Sequence, residues 1–151
     1  QSNKFEILDF KSDYIDTFMT YHNNLDWMKY QGFKGLSKFE YERELLYNTS
    51  ILKGKQFAIV DKISKDLIGD IYLKKEDSTY LLGYTINPEF SQKGYAKEAL
   101  ISIIKWIKDQ DGKIIKAYVL SENTKSINLL KSLNFLYSST IGNELLYIYY
   151  L

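Results

Sequence analysis

The chain has 151 residues, 45% of them hydrophobic, with 20 basic against 19 acidic side chains. A chain of this size buries about 68–70% of the surface its unfolded form exposes, so residues 4–151 are expected to form one domain without covalent staples. Absence of cysteine excludes a thiol nucleophile, a zinc–thiolate site and an iron–sulfur cluster, and with His22 as the single histidine a multi-histidine metal site is excluded as well. The near-zero net charge and the lone arginine, Arg43, argue against a nucleic-acid partner. No apolar run approaches the roughly eighteen residues that span a bilayer, and no charged-then-apolar leader opens the chain, so a cytoplasmic protein with no membrane partner is expected. Gln1-Ser2-Asn3 reads as a cloning remnant outside the fold.

Alternation at Phe5 and Ile7, then Leu8 and Phe10, predicts a first strand within residues 4–10. Ser12 or Asp13 can cap the helix that follows, where Tyr14, Ile15, Phe18, Met19 and His22 recur at three-to-four spacing. His22 near the end of that helix suits the helix dipole better than catalysis. Residues 23–36 carry Trp27, Met28, Tyr30 and Phe33, an aromatic loop or broken helix read first as a core plug and second as a binding wall. The spacing Ser37-Lys38-Phe39-Glu40 lets each end satisfy the other's free amide and predicts a second helix to about Asn48.

Residues 56–61, 67–74 and 79–87 are three β-rich runs joined by polar turns, an antiparallel meander that Pro88 ends. Residues 94–109 form the clearest helix, with Ala96, Ala99, Leu100, Ile103, Ile104 and Ile107 on one face, and Gly112 is placed to close it. A strand over 113–120, a short helix over 125–132 and a hairpin of 135–141 with 145–151 through Gly142-Asn143 complete the order β-αα-βββ-α-β-α-ββ. The Tyr-rich strand over 144–151 could pair with a second copy as an exposed edge.

One segment points to chemistry. A strand ends at Asn87-Pro88, a short loop follows, and Gly94-Tyr95-Ala96 opens the long helix, with Lys93 and Lys97 beside it. The first amides of a helix lack partners and carry the positive end of its dipole, so they can hold a phosphate, and Gly94 lets the backbone come close. The P-loop and dinucleotide patterns are both absent.

Taken in order, Ile68-Gly69-Asp70-Ile71, the run from Leu82 to Phe90, the run from Lys93 to Leu100, Asn123-Thr124-Lys125-Ser126 and Leu133-Asn134-Phe135 make the chain resemble the GNAT superfamily of acetyl-coenzyme A-dependent N-acetyltransferases. Within it, the chain looks most like the RimJ/RimL type, the ribosomal-protein-alanine acetyltransferases. The resemblance implies an α/β (α+β) acyltransferase fold with a mixed, centrally splayed sheet of about seven strands. It also implies acetyl-coenzyme A as co-substrate, no metal, and acetyl transfer to a primary amine in a ternary complex. The acceptor would be a small molecule or a protein N-terminus, and the protein a monomer or homodimer.

By the same resemblance, backbone amides of Gln92, Lys93, Gly94, Tyr95 and Ala96 would take the pyrophosphate. The family's loop reads Gln/Arg-x-x-Gly-x-Gly/Ala; here Ser91 falls on its first position and Gln92 replaces a usual glycine. Ile86 at the strand edge would meet the pantetheine, Asn123 its arm, and Lys131 an adenosine phosphate. Many relatives place a sulfur-protonating tyrosine where this chain has Leu130, which leaves the Ser126 hydroxyl as catalytic acid, or as a helix-start cap partner; Tyr84, on the splaying strand, is a further catalytic-site candidate, placed to meet the amine. Asp26, Trp27 and Tyr30 would meet the amine. Asp70, Glu76, Asp77 and Glu89 are read as solvated surface charges rather than bases. Two other readings are a non-catalytic acyl-coenzyme A sensor of the same fold and, from the fourteen tyrosines, a single-stranded RNA-binding module.

Overall fold

The structure, a computed structural model, describes residues 4–47 and 50–151. Its elements are β1 (Phe5–Asp9), α1 (Ile15–His22), α2 (Lys38–Glu42), β2 (Lys55–Asp61), β3 (Leu67–Glu76), β4 (Thr79–Ile86), α3 (Tyr95–Asp109), β5 (Ile114–Leu120), α4 (Thr124–Ser132), β6 (Leu136–Ile141) and β7 (Glu144–Tyr150). The order is the one expected. The capping box forms: Ser37 Oγ accepts from the Glu40 amide at 3.2 Å, and Glu40 Oε1 from the Ser37 amide at 3.0 Å. After α2 the chain widens into a π-type turn over Arg43–Tyr47, and Asn48, the expected helix end, lies outside the described residues.

Seven strands make one mixed sheet in the order β1-β2-β3-β4-β5-β7-β6. The pairs β1–β2, β2–β3 and β3–β4 are antiparallel, and β4 and β5 are parallel over three pairs only, Thr79 with Ile114, Tyr80 with Ile115 and Leu81 with Lys116. β4 continues to Ile86 and β5 to Leu120 without pairing to each other, so the sheet opens there into a wedge. The expectation for the last strand is corrected: β7 lies inside the sheet between β5 and β6, and the edge strand is β6, whose residues are all exposed.

Two cores flank the sheet. α3 buries Ala99, Leu100, Ile103 and Ile107 against Ile59, Ile71 and Ile115, each large aliphatic being worth ~1.5–3 kcal/mol on burial. α1 and α2 bury Ile15, Phe18, Tyr21 and Tyr41 with Ala58 and Val60. Because consecutive residues of β2 alternate between these clusters, the helices cover opposite faces. Gly112 ends α3 by close approach rather than by turning: the left-handed residue is Asp111 (φ 62°), while a Cβ on Gly112 would stand 2.4 Å from Ile107 Cγ2. Among the described residues no helix is long and apolar enough to cross a membrane.

Candidate active site

α3 begins at the broad end of the wedge with no side chain capping it. Gly94, its N-cap, sits at φ 81°, and a Cβ built on it would meet nothing within 4 Å. The Tyr95, Ala96 and Lys97 amides are the first of the helix and have no partner within it. Gln92 takes φ 60°, a left-handed backbone that favours glycine, which accounts for the glycine usual at that place. Upstream, Asn87 holds the strand-to-loop corner: its Oδ1 accepts from the Glu89 amide and its Nδ2 donates to the Leu67 carbonyl, 3.2 and 3.0 Å.

The cradle opens into a cavity of about 530 Å³. Gln92, Gly94, Tyr95 and Ala96 line one side, and Asp26, Trp27 and Tyr30 another. A third side is made of Tyr84 and Ile86 on β4 with Asn123 and Ser126 at the start of α4. Lys93 does not line it, its Nζ standing 5.7 Å from the Phe90 ring, and Lys131 is exposed in the last turn of α4. Lys125, which sequence reasoning did not single out, does line the cavity; its place beside Asn123 in the first turn of α4 is the signal that could have found it.

The Asn87 amide bonds the Ile68 carbonyl of β3 at 2.8 Å. By the alternation along a strand, Ile86 and Tyr84 therefore turn their backbone groups into the wedge. Trp27 Nε1 donates to the Ile86 carbonyl at 2.9 Å, tying the loop after α1 to that strand end. The hydroxyls of Tyr84 and Ser126 bridge the wedge at 2.8 Å. Burial raises the Tyr84 phenol above its usual range, and the bond from Ser126 partly opposes this. Ser126 is not a cap by its hydroxyl: Asn123 Oδ1 caps α4 by accepting from the Ser126 amide at 3.2 Å, and both residues line the cavity. Leu130 is buried in the core.

Two sequence readings are corrected. Asp70 is not a surface charge; it is 2% exposed, with His22 Nε2 at 2.8 Å and the Tyr21 hydroxyl donating to the same oxygen. His22 is 1% exposed and bridges to the Phe33 carbonyl, so its place is set by buried hydrogen bonds rather than by a helix dipole. Glu76, Asp77 and Glu89 are exposed as read. Within residues 23–36, Met28 is buried in the core, while Trp27 and Tyr30 line the cavity. Tyr14, Tyr21, Tyr41, Tyr80 and Tyr147 are buried, so these five are core residues rather than a stacking platform. Among the described residues no group of three His, Cys, Asp or Glu side chains could hold a metal ion.

A splayed mixed sheet with an uncapped helix start at the mouth of the splay defines an acyl-coenzyme A acyltransferase. The sequence profile of the acetyltransferase (GNAT) domain matches residues 5–136, and the chain belongs to that family of acetyl-coenzyme A-dependent N-acetyltransferases. The fold is similar to a GNAT-family acetyltransferase from Bacillus anthracis, at 22% identity and TM-score 0.87, over 99% of this chain and 96% of that one. It is similar to a ribosomal-protein-S5-alanine acetyltransferase from Vibrio fischeri, at 19% and 0.81, over 99% and 94%. It is also similar to spermidine N-acetyltransferase from Vibrio cholerae, solved with coenzyme A and spermine, at 20% and 0.81, over 99% and 96%. No curated protein matches the sequence.

Proposed function

We propose that residues 4–151, acting as one domain, transfer the acetyl group of acetyl-coenzyme A to a primary amine, a protein N-terminal α-amine or a small amine, in the manner of the RimJ/RimL-type branch. The observation that carries this reading is that the uncapped, open start of α3 and the Tyr84–Ser126 hydroxyl pair face one cavity. The residues present fit the coenzyme: the Gln92-to-Ala96 backbone would hold the pyrophosphate, with Lys97 or Lys125 adding charge nearby, and Ile86 and Asn123 would hold the pantetheine arm.

Acetyl-coenzyme A supplies the activated acetyl group. The chain's own residues orient it and manage protons. Asp26 is the one carboxylate among the described residues lining the cavity, and it would accept a hydrogen bond from the acceptor's amine there. Tyr84, kept protonated by burial and held by Ser126, would give a proton to the departing sulfur as the C–N bond forms and the C–S bond breaks; the nitrogen would shed its surplus proton to solvent, and the phenol would regain one from there. The chain has no cysteine to carry an acyl group, which favours direct attack.

With no buried base among the described residues that line the cavity, the acceptor must bring its own neutral amine. At pH 7 an ε-amine of pKa ~10.4 is neutral to a few parts in ten thousand, and an α-amine of pKa ~7.7–8.0 to roughly a tenth. The test is thiol release with an alanine-initiated peptide and with a blocked peptide carrying only a lysine ε-amine. A kcat/KM at least tenfold higher for the α-amine is expected; comparable turnover of the two refutes the preference.

A further inference from the structure

We infer that His22 is a positioning residue for the acceptor wall: its imidazole clasps the loop over residues 23–36 to β3 and thereby sets where Trp27 and Tyr30 stand in the cleft. This rests on the reading of that loop as the acceptor wall.

His22 is the last residue of α1, and its ring reaches two oxygens at once. Nδ1 lies 2.6 Å from the Phe33 carbonyl, eleven residues along the chain, and Nε2 lies 2.8 Å from Asp70 Oδ2. A carbonyl only accepts, so Nδ1 carries a proton and donates to Phe33, while Nε2 is the atom that meets the carboxyl. The ring cannot turn away, because it stacks on Phe18 at 3.7 Å between centroids with Phe33 and Tyr41 against its edges.

The clasp therefore closes the loop on itself and pins it to Asp70. Asn23 and Leu36 also bond each other and the Tyr41 hydroxyl at the loop's two ends, and the tie nearest the cavity is Trp27 Nε1 on the Ile86 carbonyl. In the register of β3 with β4, Asp70 faces Thr85 and Gly69 faces Ile86, so the clasp and the Trp27 tie grip neighbouring points of the strand pair that forms one arm of the wedge. The two halves of the His22 bridge do different work. The half toward Asp70 gives a buried carboxyl a partner, which Tyr21 also does, and that is a matter of stability. The half toward Phe33 adds nothing to the carboxyl and holds only the loop.

The halves can be separated by side-chain length. Asparagine places its NH₂ near the Nδ1 position and keeps a donor for Phe33; glutamine places its NH₂ near Nε2 and keeps the partner for Asp70. In a Trp106→Phe background Trp27 is the remaining tryptophan, and acrylamide quenching of its fluorescence reads the loop without any acceptor. His22→Gln should at least double the quenching constant, and His22→Asn should raise it less than half as much. Tyr21→Phe, which touches only the carboxyl, should leave it unchanged while lowering the melting temperature. The KM for an alanine-initiated peptide should follow the same order, rising tenfold or more in His22→Gln. Unchanged quenching in His22→Gln, or an equal rise in Tyr21→Phe, overturns the inference, since the loop would then follow nothing or global stability. Should His22→Gln not fold, one glycine inserted after the exposed Gly32 lengthens the clasped loop and leaves the buried trio intact; it must raise quenching, and no rise overturns the inference. The quenching pattern without any peptide acetylation would sink the acceptor reading and leave the clasp standing.

Discussion

The hydroxyls of Tyr84 on β4 and Ser126 on α4 lie 2.8 Å apart across the gap where the sheet parts. Of the two, the phenol is the stronger acid, and its bond to Ser126 orients it. Tyr84→Phe should lower kcat about tenfold to a hundredfold, at or below the low end of general-acid effects, because a thiol of pKa ~8.5 is already a tolerable leaving group. KM for acetyl-coenzyme A should stay within about threefold, and Ser126→Ala should cost less than Tyr84→Phe. Steady-state thiol release checks this, and a larger loss in Ser126→Ala would reassign the proton donor.

The raised phenol has a pH consequence. Because burial holds the Tyr84 proton above the ordinary tyrosine value, the acid form persists through neutral and mildly alkaline solution. With an α-amine acceptor, kcat/KM should climb to about pH 8 as the amine loses its proton, then stay flat to about pH 10. A decline between those limits, in a protein shown by circular dichroism to remain folded, would remove Tyr84 from the role.

Gly94 has two reasons to be glycine, and they can be told apart. Its φ of 81° strains any side chain, and the space over it is open toward the cavity. Gly94→Ala should cost ~1–2 kcal/mol of stability through the left-handed backbone. Gly94→Trp should cost the same and also weaken coenzyme A at least tenfold by crowding the helix start. Calorimetry with both variants separates strain from crowding; equal affinities would show that the pyrophosphate lies elsewhere. Gln92 is the converse case, a side chain at φ 60°, and Gln92→Gly should raise stability by up to about 1 kcal/mol with coenzyme affinity retained.

Local patterns carried most of this fold. α3 was legible because residues 99, 100, 103 and 107 fall on one face, and the Ser37–Glu40 box because its signal is contained in four residues. What local pattern cannot carry is pairing over distance. Asp70 looked like a surface charge because its partner His22 lies 48 positions away on another element. β7 looked like an edge because nothing in its residues shows that the preceding strand takes the outer place. The cavity was half legible: the cradle is one contiguous segment, whereas the Trp27–Ile86 tie joins residues 59 apart in a loop with no period to read.

Tyr21 links stability to alkaline pH. Burial, then the charge of Asp70, then the hydrogen bond to it, all raise this phenol well above its usual value. At pH 7 both folded and unfolded chains hold the proton, so the contribution of the hydroxyl is fully present. Above pH ~10 the unfolded chain releases a proton that the folded chain keeps, and stability falls by up to about 1.4 kcal/mol per pH unit from this group. Tyr21→Phe removes both the hydroxyl and the penalty. It should lower stability at pH 7 by ~1.5–3 kcal/mol, the usual worth of a hydrogen bond to a charged group. The deficit should shrink as pH rises past 10, where the lysines and the other tyrosines titrate alike in both proteins and cancel. Urea unfolding of the pair at pH 7, 9 and 10.5 measures it. A deficit constant across that range would mean that the Tyr21 proton is no better held in the folded chain than in the unfolded one.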